Sequence, residues 1–236
     1  FDSAMTGTQR RFTYAELRDE VATLAGALRS VGVGMGDRVV IYLPMIPEAL
    51  IAMLACARIG AIHSVVFGGF AAAELAARID DAQPTALLTA SGGLEPGRTV
   101  DYLPTVAKAL EASSTPPDIV VVKHRPEVTS DATPTEGWLD WDALVDGAEP
   151  VPPVPVPATH PLYVLYTSGT TGKPKGVVRD HGGHAVAMAW SMAHVYDVHA
   201  GDVMWAASDV GWVVGHSYIV YAPLIAGATT VLYEGK

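Results

Sequence analysis

The sequence predicts an α/β fold in which parallel sheets are covered by helices. Three observations carry this. Helical and extended patterns alternate along nearly the whole chain. The extended stretches at residues 38–43, 62–67, 85–89 and 119–123 are mostly apolar rather than alternating, the pattern of strands buried on both faces. The chain has 236 residues, 50% of them hydrophobic, enough for one large or two smaller domains with a real core.

The first helix is predicted over residues 13–32. It opens on a capping box, Thr13 with Glu16 three positions on. Leu17, Val21, Leu24, Ala25 and Leu28 recur at helical spacing, and Gly32 stops the run. A turn at Gly36 and Asp37 leads into the strand at 38–43. Pro47 starts a helix that stops at Gly60, and the strand at 62–67 follows. Helices at 71–82 and 101–112 flank the strand at 85–89, with Pro104 tolerated in a first turn. The strand at 119–123 closes this alternation. Residues 124–137 turn polar and read as an excursion loop before a short helix at 138–145.

Residues 149–157 read EPVPPVPVP, an extended polyproline-like segment. An interdomain linker is one reading and an ordered strap between two subdomains is the preferred one. The expected division is a first α/β subdomain at 1–148, a strap at 149–161, and the start of a second α/β subdomain at 162–236. In that second part a short strand at 176–179, a helix at 184–195, a strand at 203–207, a helix at 216–225 and a strand at 229–233 are predicted.

The most informative stretch is LYVLYTSGTTGKPKGV, residues 162–177. An apolar, β-branched and aromatic run ends abruptly in residues that are nearly all Gly, Ser, Thr, Lys or Pro. Gly169, Gly172 and Gly176 allow backbone conformations closed to other residues and let a ligand approach. Thr167, Ser168, Thr170 and Thr171 offer hydroxyls, and Lys173 and Lys175 offer positive charge. Such groups on a loop after a strand suit polyphosphate oxygens. The stretch is not a Walker A loop, because Pro174 follows Lys173 where that motif needs Ser or Thr. A surface loop rich in turn residues is the plain alternative.

Lys and Arg number 15 against 25 Asp and Glu, a net charge of −10, so any phosphate-binding charge is local. Neither nucleic acid nor an anionic membrane is the expected partner. No apolar run reaches the ~20 residues of a membrane span. The single cysteine, Cys56, lies among apolar residues; it excludes a disulfide framework and fits a reducing, cytoplasmic compartment. His181, His184, His194 and His199 invite a metal reading, but no ligand set completes a tetrahedral site, so no protein-bound metal is expected. The chain begins with Phe1 and ends at Lys236 just after a predicted strand, and both ends look cut.

The string at 167–176 resembles the phosphate loop of the adenylate-forming superfamily of acyl-CoA synthetases, luciferases and peptide-synthetase adenylation domains. The stretch DVGWVVGHSYIVYAPLIAGATT, residues 209–230, resembles the acetyl- and propionyl-CoA synthetase branch. So do HSVVFGGF (63–70), ARIGAIHS (57–64) and VVIYLPMIPEALIAMLACA (39–57). The resemblance runs along nearly the whole chain, weakly only over about 124–160. It implies two Rossmann-like (flavodoxin-like) parallel-sheet subdomains within a large N-terminal domain. It implies a ligase that joins a short carboxylate to ATP, releases pyrophosphate and passes the acyl group to coenzyme A. Thr167, Ser168, Gly169, Thr170, Thr171, Gly172 and Lys173 would hold phosphates, with Lys175 and Gly176 assisting or shaping the loop. Trp212, Val213 and Val214 would line the acyl side, and Gly69 and Arg98 would contact coenzyme A. Mg²⁺ would arrive with ATP.

Two departures lean toward propionate over acetate. VVRDHGGHAVAMAW (177–190) stands where acetate-type members usually carry a His-Thr-Thr-Gly-Gly pattern. Val214 stands where they usually have Thr. Separately, a second arginine that acetate-type members tend to have near Glu95 is missing, which implies a weaker or rearranged phosphate contact to coenzyme A. The resemblance also implies that the adenine and ribose contacts, the acidic residue for Mg²⁺ and the adenylating lysine lie beyond Lys236. The chain alone is therefore expected to be inactive. A non-catalytic nucleotide-binding remnant and an adenylating enzyme for another acid are the alternatives.

Overall fold

The computed structural model describes residues 1–95, 97–129, 135–167 and 174–235. A seven-stranded sheet organises them. Its strands, in chain order, are β1 (Arg38–Tyr42), β2 (Ile62–Val65), β3 (Ala86–Ala90), β4 (Ile119–Lys123), β5 (Leu139–Asp140), β6 (Pro161–Thr167) and β7 (Lys175–Asp180). In space they run β7-β6-β2-β1-β3-β4-β5. All neighbours are parallel except β6 and β7, which form an antiparallel hairpin. The central order β2-β1-β3-β4-β5 is that of a flavodoxin-like sheet, in which ligands bind at the carboxyl ends of the strands.

Both faces of the sheet are covered, and β1 shows how. Val39 and Ile41 join the core formed with α1 (Tyr14–Ser30) and α2 (Pro47–Ile59). Val40 and Tyr42 join a second core with α3 (Ala72–Ala82) and α4 (Leu103–Ala112). Successive side chains alternate between faces, and both faces are apolar because both are packed. The helix ends follow local chemistry. Thr13 Oγ1 accepts the Glu16 N–H at 3.2 Å, and Glu16 Oε2 accepts the Thr13 N–H at 2.7 Å. Pro47 takes a first-turn position of α2, and Gly60 ends that helix at φ +72°, a left-handed conformation open to glycine.

The strap lies against α1 and α2. Val151 donates its N–H to the Ala22 carbonyl (3.1 Å), and Val154 donates to the Arg58 carbonyl (2.8 Å). Arg58 Nε returns a 2.7 Å bond to the Val151 carbonyl. A Cβ on Gly26 would overlap the Glu149 carbonyl oxygen, so the strap can approach only because residue 26 has no side chain.

The strap does not separate two sheets. β6 follows it and pairs with β2 through Tyr163 and His63. The stretch expected to open a second α/β subdomain at 162 thus begins with a strand of the seven-stranded sheet. Val203–Met204 pairs in parallel with Thr229–Thr230, and the helical stretch from Val213 to Ala226 connects them. The strand predicted at 203–207 is only this pair of residues. That predicted at 229–233 divides, because Tyr233–Glu234 pairs with Asp2–Ser3 at the chain's start. Asp2–Ser3 also pairs with Thr8–Gln9, an arrangement with no local sequence signal. Buried Arg125 closes this corner, with a bidentate bond to Glu234 at 2.7 and 2.9 Å. Ser3 Oγ donates to the same carboxylate at 2.8 Å.

Two helical segments depart from ordinary α geometry. Met192–Tyr196 and His216–Tyr221 are π-helical. Such segments concentrate at functional sites, and the second one carries His216.

Candidate active site

Three segments converge at the carboxyl end of the parallel strands. The first leaves β2 as Phe67, Gly68, Gly69 and Phe70. The Tyr42 hydroxyl, at the end of β1, lies 3.0 Å from the Gly68 carbonyl and 2.8 Å from the Phe70 carbonyl. Tyr102 packs on Tyr42 with ring centroids 4.9 Å apart. A Cβ on Gly68 or on Gly93 would strike the Tyr102 ring. Tyr102 therefore fills the space between this turn and the hairpin formed by Gly92–Glu95 and Arg98–Asp101. Burial pushes both phenols up in pKa, that of Tyr42 to about 12, so both remain hydrogen-bond donors.

The second segment runs from Asp209 to Val214. Gly211 is held by a 2.7 Å bond to Asp209 Oδ1, and a Cβ there would lie 3.0 Å from Phe67 Cα. The two backbones approach this closely because residue 211 has no side chain. Trp212 then rests on Phe67 (5.5 Å between ring centroids) and edge-on to Phe70 (6.0 Å). Trp212, Val213 and Val214 remain 45%, 49% and 46% exposed, so they face open space rather than core. Gly69 is exposed beside them.

The third segment is the β6–β7 hairpin. Thr167 pairs with Lys175, and Tyr166 with Gly176. These pairs close the base of the glycine-rich connection. Ser168, Gly169, Thr170, Thr171, Gly172 and Lys173 lie outside the described residues. Gly176 has a packing reason of its own, since a Cβ there would come within 3.2 Å of the Tyr166 ring and 2.8 Å of a Val164 methyl.

Arg98 stands apart from these segments in one respect. It lies on the hairpin flanking Tyr102, is 69% exposed in its side chain, and pairs with Glu95 opposite (2.5 Å). A ligand phosphate would have to share this guanidinium with Glu95.

The AMP-binding enzyme family model matches residues 2–236. The chain belongs to that family. It is 56% identical over 236 residues to the mitochondrial acyl-CoA synthetase short-chain family member 3 of Bos taurus, covering 100% of this chain and 34% of that one. It is 49% identical over 233 residues to the acetyl-coenzyme A synthetase of Streptomyces coelicolor, covering 98% and 35% respectively. Among solved structures, acetoacetyl-CoA synthetase from Streptomyces lividans superposes with a TM-score of 0.88 at 34% identity. That match covers 99% of this chain and 35% of the other. The chain thus spans about a third of the length of the curated relatives it matches.

In this AMP-binding chain the structure also gathers residues that the sequence does not show to be neighbours. Beneath the Trp212 segment lies a buried cluster of His63, Tyr163, His184, His216 and Tyr221. His63 Nε2 and the Tyr221 hydroxyl are 2.6 Å apart, and His216 Nδ1 is 3.1 Å from the Trp212 carbonyl. The Tyr163 ring lies 4.7 Å from that of His216 and 5.2 Å from that of His184. Burial lowers the pKa of all three imidazoles, to about 4 for His184 and His216, so they are neutral near pH 7. Among the described residues no group of three or more His, Cys, Asp or Glu could hold a metal ion.

Proposed function

We propose that this chain is the front part of an ATP-dependent acid–thiol ligase acting on a short carboxylate, propionate ahead of acetate. One observation carries the reading. In a chain of the AMP-binding family, a hairpin base, an apolar exposed wall and a glycine turn meet at the carboxyl edge of one parallel sheet. That edge is where doubly wound sheets take ligands.

The chemistry has two steps. A carboxylate oxygen attacks the α-phosphorus of ATP, forming an O–P bond and releasing pyrophosphate. The coenzyme A thiolate then attacks the acyl carbon, forming a C–S bond as AMP leaves. The protein's part is positioning and charge stabilisation. Lys173 and the hydroxyls of the connection at 167–173 are assigned to the β- and γ-phosphates, and Lys175 supports the base. Mg²⁺ is assigned to those same phosphate oxygens rather than to a side chain present here. Trp212, Val213 and Val214 are assigned to the acyl side, where the indole shortens the space for an alkyl chain. Gly69 and Arg98 are assigned to coenzyme A.

Val214 in place of a hydroxyl residue supports an apolar substrate end, and thus propionate. The relative named acetyl-coenzyme A synthetase keeps acetate as the competitor. Cytoplasm is the proposed compartment, supported by the lone, fully buried Cys56, although several relatives are named as mitochondrial. No described helix is long and apolar enough to cross a membrane.

The test is acid-dependent ATP–pyrophosphate exchange, measured on this chain continued to the length of its relatives. Lys173→Ala is expected to cut exchange by about 10²-fold or more while the protein still folds. Equal exchange in wild type and variant would remove the phosphate assignment.

A further inference from the structure

Arg78 is a charged side chain buried on the apolar face of its helix. It sits on α3 on the same face as buried Leu75 and Ile79 and is itself only 5% exposed. Its Nη1 donates to the Glu74 carboxylate at 2.8 Å and to the Glu74 carbonyl at 2.6 Å. Glu74 itself is half exposed, so the pair leans toward solvent at one end only. The guanidinium carbon lies 4.6 Å from the centroid of the Phe70 ring and 5.7 Å from that of Tyr166.

Those two rings belong to different parts of the site. Phe70 ends the turn that carries Gly69 and packs edge-on against Trp212. Tyr166 immediately precedes Thr167 at the hairpin base, and its hydroxyl donates to Asp81 Oδ2 at 2.6 Å, on the same helix as Arg78. A continuous path of contacts therefore runs Trp212–Phe70–Arg78–Tyr166. Arginine suits the middle of such a path, because its flat cation can lie against two aromatic faces while keeping a hydrogen bond.

We propose that Arg78 is a positioning residue that holds the thiol-side turn and the phosphate-side hairpin in one fixed relation. It rests on the ligase reading above. It touches neither ligand in this account; it acts through Phe70 and Tyr166. Removing it loosens both ends, so the affinity for ATP and that for coenzyme A fall together. A residue serving only the stability of α3 would not link the two.

The experiment uses the chain continued to the length of its relatives, with propionate as the acid. KM for ATP is measured in pyrophosphate exchange, KM for coenzyme A in thioester formation, and the thermal midpoint alongside. Arg78→Met is expected to raise both KM values by about five- to thirty-fold, the factor that losing a desolvated cation–ring contact gives. On a Phe70→Leu background, Arg78→Met is expected to raise the coenzyme A KM little further. Arg78→Lys keeps the charge but not the plane, and is expected to raise both KM values by a smaller factor. It carries the test alone if the methionine variant does not fold. Unchanged KM values, a rise on one side only, or additive effects with Phe70→Leu overturn the proposal. A wild type that makes no acyl-CoA overturns the ligase reading itself; an active wild type with unaltered Arg78 variants overturns only the coupling.

Discussion

The buried imidazoles make acid the perturbation that this fold should feel most, and His216 shows the size of the effect. Its side chain is fully buried between β2, β6 and the helical stretch that contains it, with Nε2 lacking a hydrogen-bond partner among the described residues. Burial lowers its pKa to about 4; the bond to the Trp212 carbonyl opposes that, and His184 nearby adds to it. In the unfolded chain the imidazole titrates near 6.5. As pH falls through 6.5 the unfolded state takes the proton first, so stability is full above that value and is lost progressively down to about 4. The gap between the two values is worth about 3 kcal/mol. Denaturant unfolding at pH 7, 6, 5 and 4.5 reads it directly. Wild type is expected to lose that amount over the window in addition to its other acid losses. His216→Asn, whose Nδ2 can still reach the Trp212 carbonyl, is expected to lose about 3 kcal/mol less over the same window. Equal slopes for the two proteins would refute the argument that His216 is held neutral by burial.

Two further substitutions test the packing that brings the site's segments together. Gly26→Ala places a methyl where the Glu149 carbonyl sits, and is expected to cost about 1–3 kcal/mol in denaturant unfolding as the strap is pushed off α1. Glu234→Ala leaves the Arg125 guanidinium buried without its bidentate partner; a loss of about 3–5 kcal/mol is expected in the same assay.

Local chemistry was legible where its cause was local. Thr13 with Glu16, Pro47 and Gly60 mark helix ends because each satisfies or tolerates a backbone group within a few residues. The strands β1 to β4 were legible because burial on both faces leaves them mostly apolar, with only a few polar residues such as His63 and Ser64 among them. The FGGF turn, the Trp212 wall and the glycine-rich stretch stood out through composition and through the family they resemble.

What escaped was non-local. Nothing near Asp2 or Ser3 announces a partner more than two hundred residues away, and the pairing rests on backbone bonds plus the buried Arg125–Glu234 pair. The direction of β6 depends on which sheet edge is open, so its return to the first sheet could not be read from its own residues. The resemblance points to Arg98 as a coenzyme A contact; that Glu95 stands opposite it shows only once the hairpin forms. Arg78 did leave a trace: a charge on the apolar stripe of α3, between Leu75 and Ile79, is costly unless something takes it up. The structure answers with Glu74, Phe70 and Tyr166.

The central claim is that the converging segments serve a ligase that makes a short acyl-CoA. The most direct measurement is product formation from ATP, coenzyme A and propionate or acetate, by this chain continued to the length of its relatives. The account predicts one acyl-CoA and one AMP per pyrophosphate, with kcat/KM for propionate above that for acetate. AMP release without acyl-CoA for either acid, or no reaction with any short carboxylate, would contradict it.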